Sequence, residues 1–217
     1  MINQKDREKL EQVRAFSRKI MPKLPYHNFE HGLYVVANAT ALGYMEGCTS
    51  KEIFLLETGG YTHDLIVIPG RTDNEERSAA LASEYLKEIG YKNEEIAVND
   101  LLVMSTKLPT NPSTLLEKII CDSDIWNIGG NEFWKSTEAV RQEYGLTDLQ
   151  RWYSQVLGFL DKQKFYTPTG KALRNAGLEK NKKLVSSLLI DFEKERGANP
   201  ADVLDMHLSR YGLREAA

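Results

Sequence analysis

The chain has 217 residues, 41% of them hydrophobic and 27% charged, with a formal net charge of −3. That is enough apolar material for a real core, and the length suits one large domain or a domain with a terminal extension. The mildly acidic balance argues against duplex nucleic acid, whose binders carry a basic excess, and no apolar run approaches the ~20 residues of a membrane-spanning helix.

The polar opening MINQKDREKL lacks the apolar segment of a secretory signal, so a cytoplasmic protein is expected. Leu10, Val13, Phe16 and Ile20 recur every three or four residues and predict a first helix. Pro25 disfavours helical backbone at Leu24, and Asn28 is a good N-cap. A second helix is therefore expected from Phe29, through His31, Tyr34, Val35, Asn38, Leu42 and Met45. This places His31 at the third helical position and leaves His27 outside. Cys48 and Cys121 are the only cysteines; without short spacing they give neither a disulfide framework nor a thiolate zinc site and are expected as reduced core residues.

In TSKEIFLLE, Thr49 and Glu52 form a capping box for a third helix. That helix is apolar and ends at His63-Asp64. Its Gly59-Gly60 pair costs roughly 1 kcal/mol per residue relative to alanine, which fits a close helix crossing. The run LIVIP is β-like but too short to found a sheet. After the polar turn RTDNEE, a helix is predicted through Ser78, Leu81, Ala82, Tyr85 and Ile89. Others are centred on Val98–Ser105 and Leu115–Ile120, with longer ones near 131–144, 147–164 and 170–197. Asn199 and Pro200 start a last helix. The fold class is all-α, and FYTPTG at 165–170 marks the expected seam between a core and C-terminal helices.

Three of the four histidines stand beside carboxylates or turn residues. His63 and Asp64 are adjacent, so they splay by about 100° and can share an ion only over the helix end. Asp122 and Asp124 follow the apolar run 115–120, where an unpaired carboxylate is costly. Imidazole and carboxylate together suit first-row divalent ions.

In order, His31, His63-Asp64 and Asp124 resemble the signature of the HD-domain superfamily of metal-dependent phosphohydrolases. YHNFEH is similar to the opening of its cyclic-nucleotide phosphodiesterase branch. The segments HDLIVIPGRTDNEERSA, STKLP, CDSDIWNIG, VRQEY and FYTPTGKALRNAGLEKN resemble a bacterial branch of predicted HD phosphohydrolases. The resemblance spans roughly residues 20–185. It implies one HD-type helical domain over 1–217, with a core at about 20–165 and C-terminal helices at about 166–217.

It further implies His31, His63, Asp64 and Asp124 as ligands of one or two divalent ions (Mn, Mg, Fe, Co, Ni or Zn), with Asp122 as the alternative to Asp124. His27 matches a general-acid position, and Asp64 would also orient the attacking water. A second histidine soon after the His-Asp pair, which serves a second metal in the phosphodiesterases, is absent from HDLIVIPG. Glu75 and Glu76 are either a solvated first helical turn or supply a water-mediated metal contact or base, with Glu76 the candidate. Lys107, Arg77 and Arg141 are the candidates for substrate phosphate, and Trp126, Trp134, Tyr144 and Trp152 are core aromatics or base-stacking surfaces.

The expected reaction is hydrolysis of a phosphate ester of a small molecule, a nucleotide first, by metal-activated water. Two other readings remain. One is a non-catalytic helical sensor for a nucleotide or metal. The other is an inverzincin-like metalloprotease, because HNFEH matches H-x-x-E-H with Glu30 as base. The protease needs both histidines on one helix, which Pro25 and Asn28 oppose. The sequence leaves the oligomeric state open.

Overall fold

A computed structural model describes residues 3–213. Among these residues there is no strand, and the fold is all-α: α1 (Gln4–Ile20), α2 (Phe29–Met45), α3 (Ser50–Thr62), α4 (Asn74–Glu88), α5 (Asn93–Ser105), α6 (Leu115–Asp124), a 3₁₀ turn (Trp126–Gly129), α7 (Phe133–Glu143), α8 (Leu149–Leu160), α9 (Pro168–Lys194) and α10 (Pro200–Arg210). Residues 1–2 of the opening stretch and 214–217 of the expected C-terminal helices lie outside the described residues. The chain divides into two compact units. One runs to Ile125 and includes Phe165–Gly170; the other comprises Trp126–Lys164 and the chain from Lys171.

Helix starts follow local chemistry. Asn28 Oδ1 accepts from the backbone N–H of Glu30 at 2.9 Å and of His31 at 3.1 Å, so α2 begins at Phe29. Thr49 and Glu52 form the reciprocal capping box of α3, and Asn199 caps α10 with Pro200 behind it. The helix expected around Leu115–Ile120 extends through Asp124, so Asp122 and Asp124 share its last turn.

In the first unit α2 packs on α3 and α6, and α3 packs also on α1 and α5. Val13, Met21, Phe54, Leu65, Leu86 and Tyr91 lie in its core. The glycine pair makes the crossings close. A Cβ at Gly60 would stand 3.1 Å from the backbone nitrogen of Val36 on α2, and one at Gly59 would stand 3.0 Å from Leu102 on α5.

The β-like run LIVIP is a loop because α4 supplies the partners that a neighbouring strand would otherwise give. Ile66 N–H donates to Ser78 Oγ at 3.0 Å, and the Ser78 hydroxyl donates to the Ile66 carbonyl at 3.2 Å. Asn74 does the same for Ile68, accepting from its N–H at 3.0 Å and donating to its carbonyl at 3.2 Å. Four backbone groups are thereby satisfied without a sheet.

The second unit buries Trp134, Tyr153, Leu160, Val185 and Leu188. Its buried Asp191 accepts from His207 Nδ1 at 2.8 Å and Arg210 Nη1 at 2.9 Å, tying α9 to α10. Burial pushes the Asp191 carboxyl up, but those two donors outweigh it and hold it below its ordinary range. A depressed carboxylate stabilises the fold above its unfolded-state pKa and loses that contribution as pH falls through its folded value. Asp191→Asn should therefore lower the melting temperature at pH 7, with the gap to wild type closing as acid protonates Asp191. Gly60→Ala should cost about 1–3 kcal/mol by overpacking the α2–α3 crossing, read from urea melts with an unchanged slope.

Candidate metal centre

Three helix ends of the first unit build the site. The start of α2 presents His31, held at the third helical position by the Asn28 cap. The end of α3 presents His63 at its C-cap, followed by Asp64. The end of α6 presents Asp124. His31 Nε2 lies 3.0 Å from Asp124 Oδ1, 3.3 Å from His63 Nε2 and 3.6 Å from Asp64 Oδ2. His63 Nε2 lies 3.1 Å from Asp64 Oδ2 and 3.6 Å from Asp124 Oδ1.

These separations fit a cation. Two ligands at bonds of about 2.1 Å stand about 3.0 Å apart at a right angle and about 3.4 Å apart at the tetrahedral angle. His31, His63 and Asp124 form the tightest group. Asp64 stands outside that group but beside both imidazoles, its buried Oδ2 3.1 Å from His63 Nε2 and 3.6 Å from His31 Nε2.

The protons tell the same story. His63 Nδ1 lies 3.0 Å from the Gly60 carbonyl, which can only accept, so Nδ1 carries the hydrogen. In the neutral ring, Nε2 then presents a lone pair to two carboxylates that are themselves acceptors. Such a convergence is stable only around positive charge, whether a proton or a metal ion. Without an ion, burial alone would push the His63 imidazolium pKa down. The Asp64 and Asp124 carboxylates override it and hold that pKa well above the ordinary imidazole range. Burial likewise raises Asp124, but the hydrogen bonds from His31 and His63 win and hold its carboxyl far below the usual range.

Asp122 is not part of this group. Two residues from Asp124 on one helix, it points to nearly the opposite side. It is fully buried and accepts from Tyr166 N–H at 2.7 Å, Thr167 N–H at 2.9 Å and Thr167 Oγ1 at 2.7 Å. Between the two aspartates left open by the sequence, the geometry brings Asp124 to the imidazoles.

His27 precedes the Asn28 cap and lies outside α2. Its ring stands edge-on to those of Tyr26 and His31, at 4.9 and 5.9 Å between centroids, and it is close enough to stabilise the Asp64 carboxylate. The two histidines of HNFEH therefore do not share a helix, and Glu30 is exposed. The single-helix arrangement of an inverzincin is not formed.

The outlying candidates have other partners. Glu76 pairs with Lys107 on the surface. Its neighbour Glu75 is half-buried: burial raises its carboxyl pKa, and the Asp64 charge raises it further. Arg77 donates to Asp73 at 2.9 Å, and Arg71 holds the same carboxylate. Arg141 belongs to the second unit, where Glu138 and the Leu146 carbonyl engage its guanidinium. Trp126 and Trp134 are buried and Trp152 is half-buried, whereas Tyr144 is 48% exposed.

Compared with known proteins, the sequence matches no family model and no curated protein. Among solved structures it is similar to Bacillus subtilis YpgQ, crystallised in complex with ADP. The match has a TM-score of 0.62 and covers 87% of this chain and 98% of that one, at 18% sequence identity. A likeness at that identity speaks to the all-α fold.

The His31/His63/Asp124 group has the chemistry to hold a divalent ion. Mn²⁺ should raise the melting temperature of chelator-treated protein, because an ion that binds only the folded state stabilises it by mass action. Asp124→Ala should abolish that rise in the same thermal scan.

Proposed function

We propose that the protein is a metal-dependent phosphohydrolase acting on a small phosphate ester, with nucleotides as the first class to test. The observation that carries the reading is the convergence of His31, His63 and Asp124, with Asp64 beside them: each carboxylate lies 3.0–3.6 Å from both imidazoles. The resemblance of YHNFEH, the His63-Asp64 pair and CDSDIWNIG to the HD phosphohydrolases supports it, as does a fold shared with a protein crystallised with ADP.

His31, His63, Asp64 and Asp124 would hold the ion. When bound, a divalent cation supplies Lewis-acid polarisation of the phosphoryl group and acidifies a water. The protein's own groups do the rest. Asp64 is the hydrogen-bond acceptor that orients the attacking water. His27, at the rim beside Asp64, donates a proton to the leaving oxygen. Because Glu76 is paired with Lys107, its neighbour Glu75, whose carboxyl feels the Asp64 charge, is the acidic residue to test for a contact to water at the site. Among the basic candidates Lys107 is preferred for phosphate. It lies in the same unit as the cluster, and its partner Glu76 adjoins Glu75.

Metal analysis of purified protein tests the first half of this reading. A screen of nucleotides, cyclic nucleotides, pyrophosphates and sugar phosphates with and without Mn²⁺ tests the second. Wild type should turn over at least one class and Asp64→Ala none. Metal-bound wild type with no turnover across the panel, but with nucleotide affinity, would instead establish the sensor. His27→Gln should cost about 10²–10⁴-fold in kcat with an alkyl phosphate. With a p-nitrophenyl ester the loss should be small, because that leaving group needs no proton.

A further inference from the structure

The segment Phe165–Gly170 packs with the first unit although the chain on both sides belongs to the second. Asp122 is its anchor. The carboxylate takes the Tyr166 and Thr167 N–H groups and the Thr167 hydroxyl, all within 2.9 Å. Thr167 also caps α9, its Oγ1 accepting from Gly170 N–H at 2.9 Å, while Pro168 occupies the first helical position. Gly170 is required by the same contact, because a Cβ there would overlap Asp122 Oδ2. Further along, the Tyr166 hydroxyl donates to the Thr110 carbonyl at 2.9 Å and pairs with the Thr110 hydroxyl at 2.7 Å. Thr169 N–H donates to Glu46 Oε1 at 2.8 Å.

Asp124 is the last residue of α6. Terminal turns fray because their final carbonyls lack helical partners. A ligand there holds its aim only if the turn is fixed from outside. Two residues of this turn, Cys121 and Asp122, have such a fastening. Cys121 Sγ donates to the Ser105 carbonyl at 3.0 Å, burial pushing the thiol pKa up to about 12 so that it keeps its proton. The Ser123 Oγ bond to the Ile119 carbonyl, at 2.7 Å, stays within α6. Asp122 is held from the side opposite the metal group.

Resting on the metal-site reading above, we propose that Asp122 is a positioning residue: gripped by the 165–170 strap, it locks the final turn of α6 and so sets the aim of Asp124 at the cation. Asp122 itself touches no ion. The strap works as a brace, and its loss loosens the metal by freeing Asp124 although all four ligand residues are still present.

The experiment is titration of the full metal-free chain with Mn²⁺ alone, read as the dissociation constant by calorimetry, with thermal melts of the metal-free proteins alongside. Asp122→Asn should weaken Mn²⁺ by about 10–100-fold, the range found for groups that orient metal ligands. Thr167→Val should weaken it less, and Thr167→Ser should restore it. Gly170→Ala should weaken it by displacing the carboxylate. Thr49→Ala, which removes the cap at the far end of α3, should lower the melting temperature without changing the Mn²⁺ constant. A folded Asp122→Asn with the wild-type constant overturns the proposal. Should Asp122→Asn not fold, wild-type binding by both Thr167→Val and Gly170→Ala overturns it just as well. Wild type that binds no Mn²⁺, Zn²⁺, Fe²⁺, Co²⁺, Ni²⁺ or Mg²⁺ would instead remove the metal-site reading, and this proposal with it.

Discussion

The structure turns on a crowd of acceptors that cannot coexist without positive charge. His63 spends its one hydrogen on the Gly60 carbonyl, so the nitrogen facing Asp64 and Asp124 brings only a lone pair unless it is protonated. The helix ends add to the difficulty. α3 and α6 both deliver their carboxylates at C-termini, where the backbone dipole is already negative and where cations are the favoured neighbours. Two partly buried anions at two negative helix ends make a poor stability device. They make a good cation trap, and the ligand atoms of His31, His63 and Asp124 all lie within 4.8 Å of one another.

Bringing the imidazoles within 3.3 Å demands that α2 and α3 nearly touch, which is the work of Gly60 against Val36. The cap at Asn28 then fixes which residue of α2 enters the gap. Both features were legible in the sequence, since Pro25, Asn28 and the Gly-Gly pair each constrain backbone locally. For the same reason His27 could be separated from His31, and the capping box at Thr49 and the start at Asn199 could be placed. What depended on local chemistry alone was readable.

What depended on three-dimensional neighbours was not. Asp122 and Asp124 are the same residue type two positions apart. The side each faces follows from how far α6 continues, and the apolar run ending at Ile120 does not reveal that. Nor does a basic residue in a polar turn disclose its partner: Lys107 meets Glu76 from a segment 31 residues earlier, whereas Arg141 is used within its own helix and the following turn. The run LIVIP carries the composition of a strand, yet Ser78 and Asn74 occupy its hydrogen-bonding edge. Pattern alone cannot see a side chain substituting for a strand.

The two aspartates of DSD show how one helix end can serve two purposes. A residue that must hold a cation wants an exposed lone pair and an exact aim; a helix terminus offers the first and undermines the second. Placing a second carboxylate on the opposite side of the same turn resolves the conflict. Asp122 satisfies the orphan N–H groups where the chain enters α9 and so fixes its own turn against a segment more than 40 residues away. Two backbone N–H groups and the Thr167 hydroxyl engage Asp122 on the side away from the imidazoles. Three short donors keep its negative charge buried and in place, and Asp124 is left to face the imidazoles.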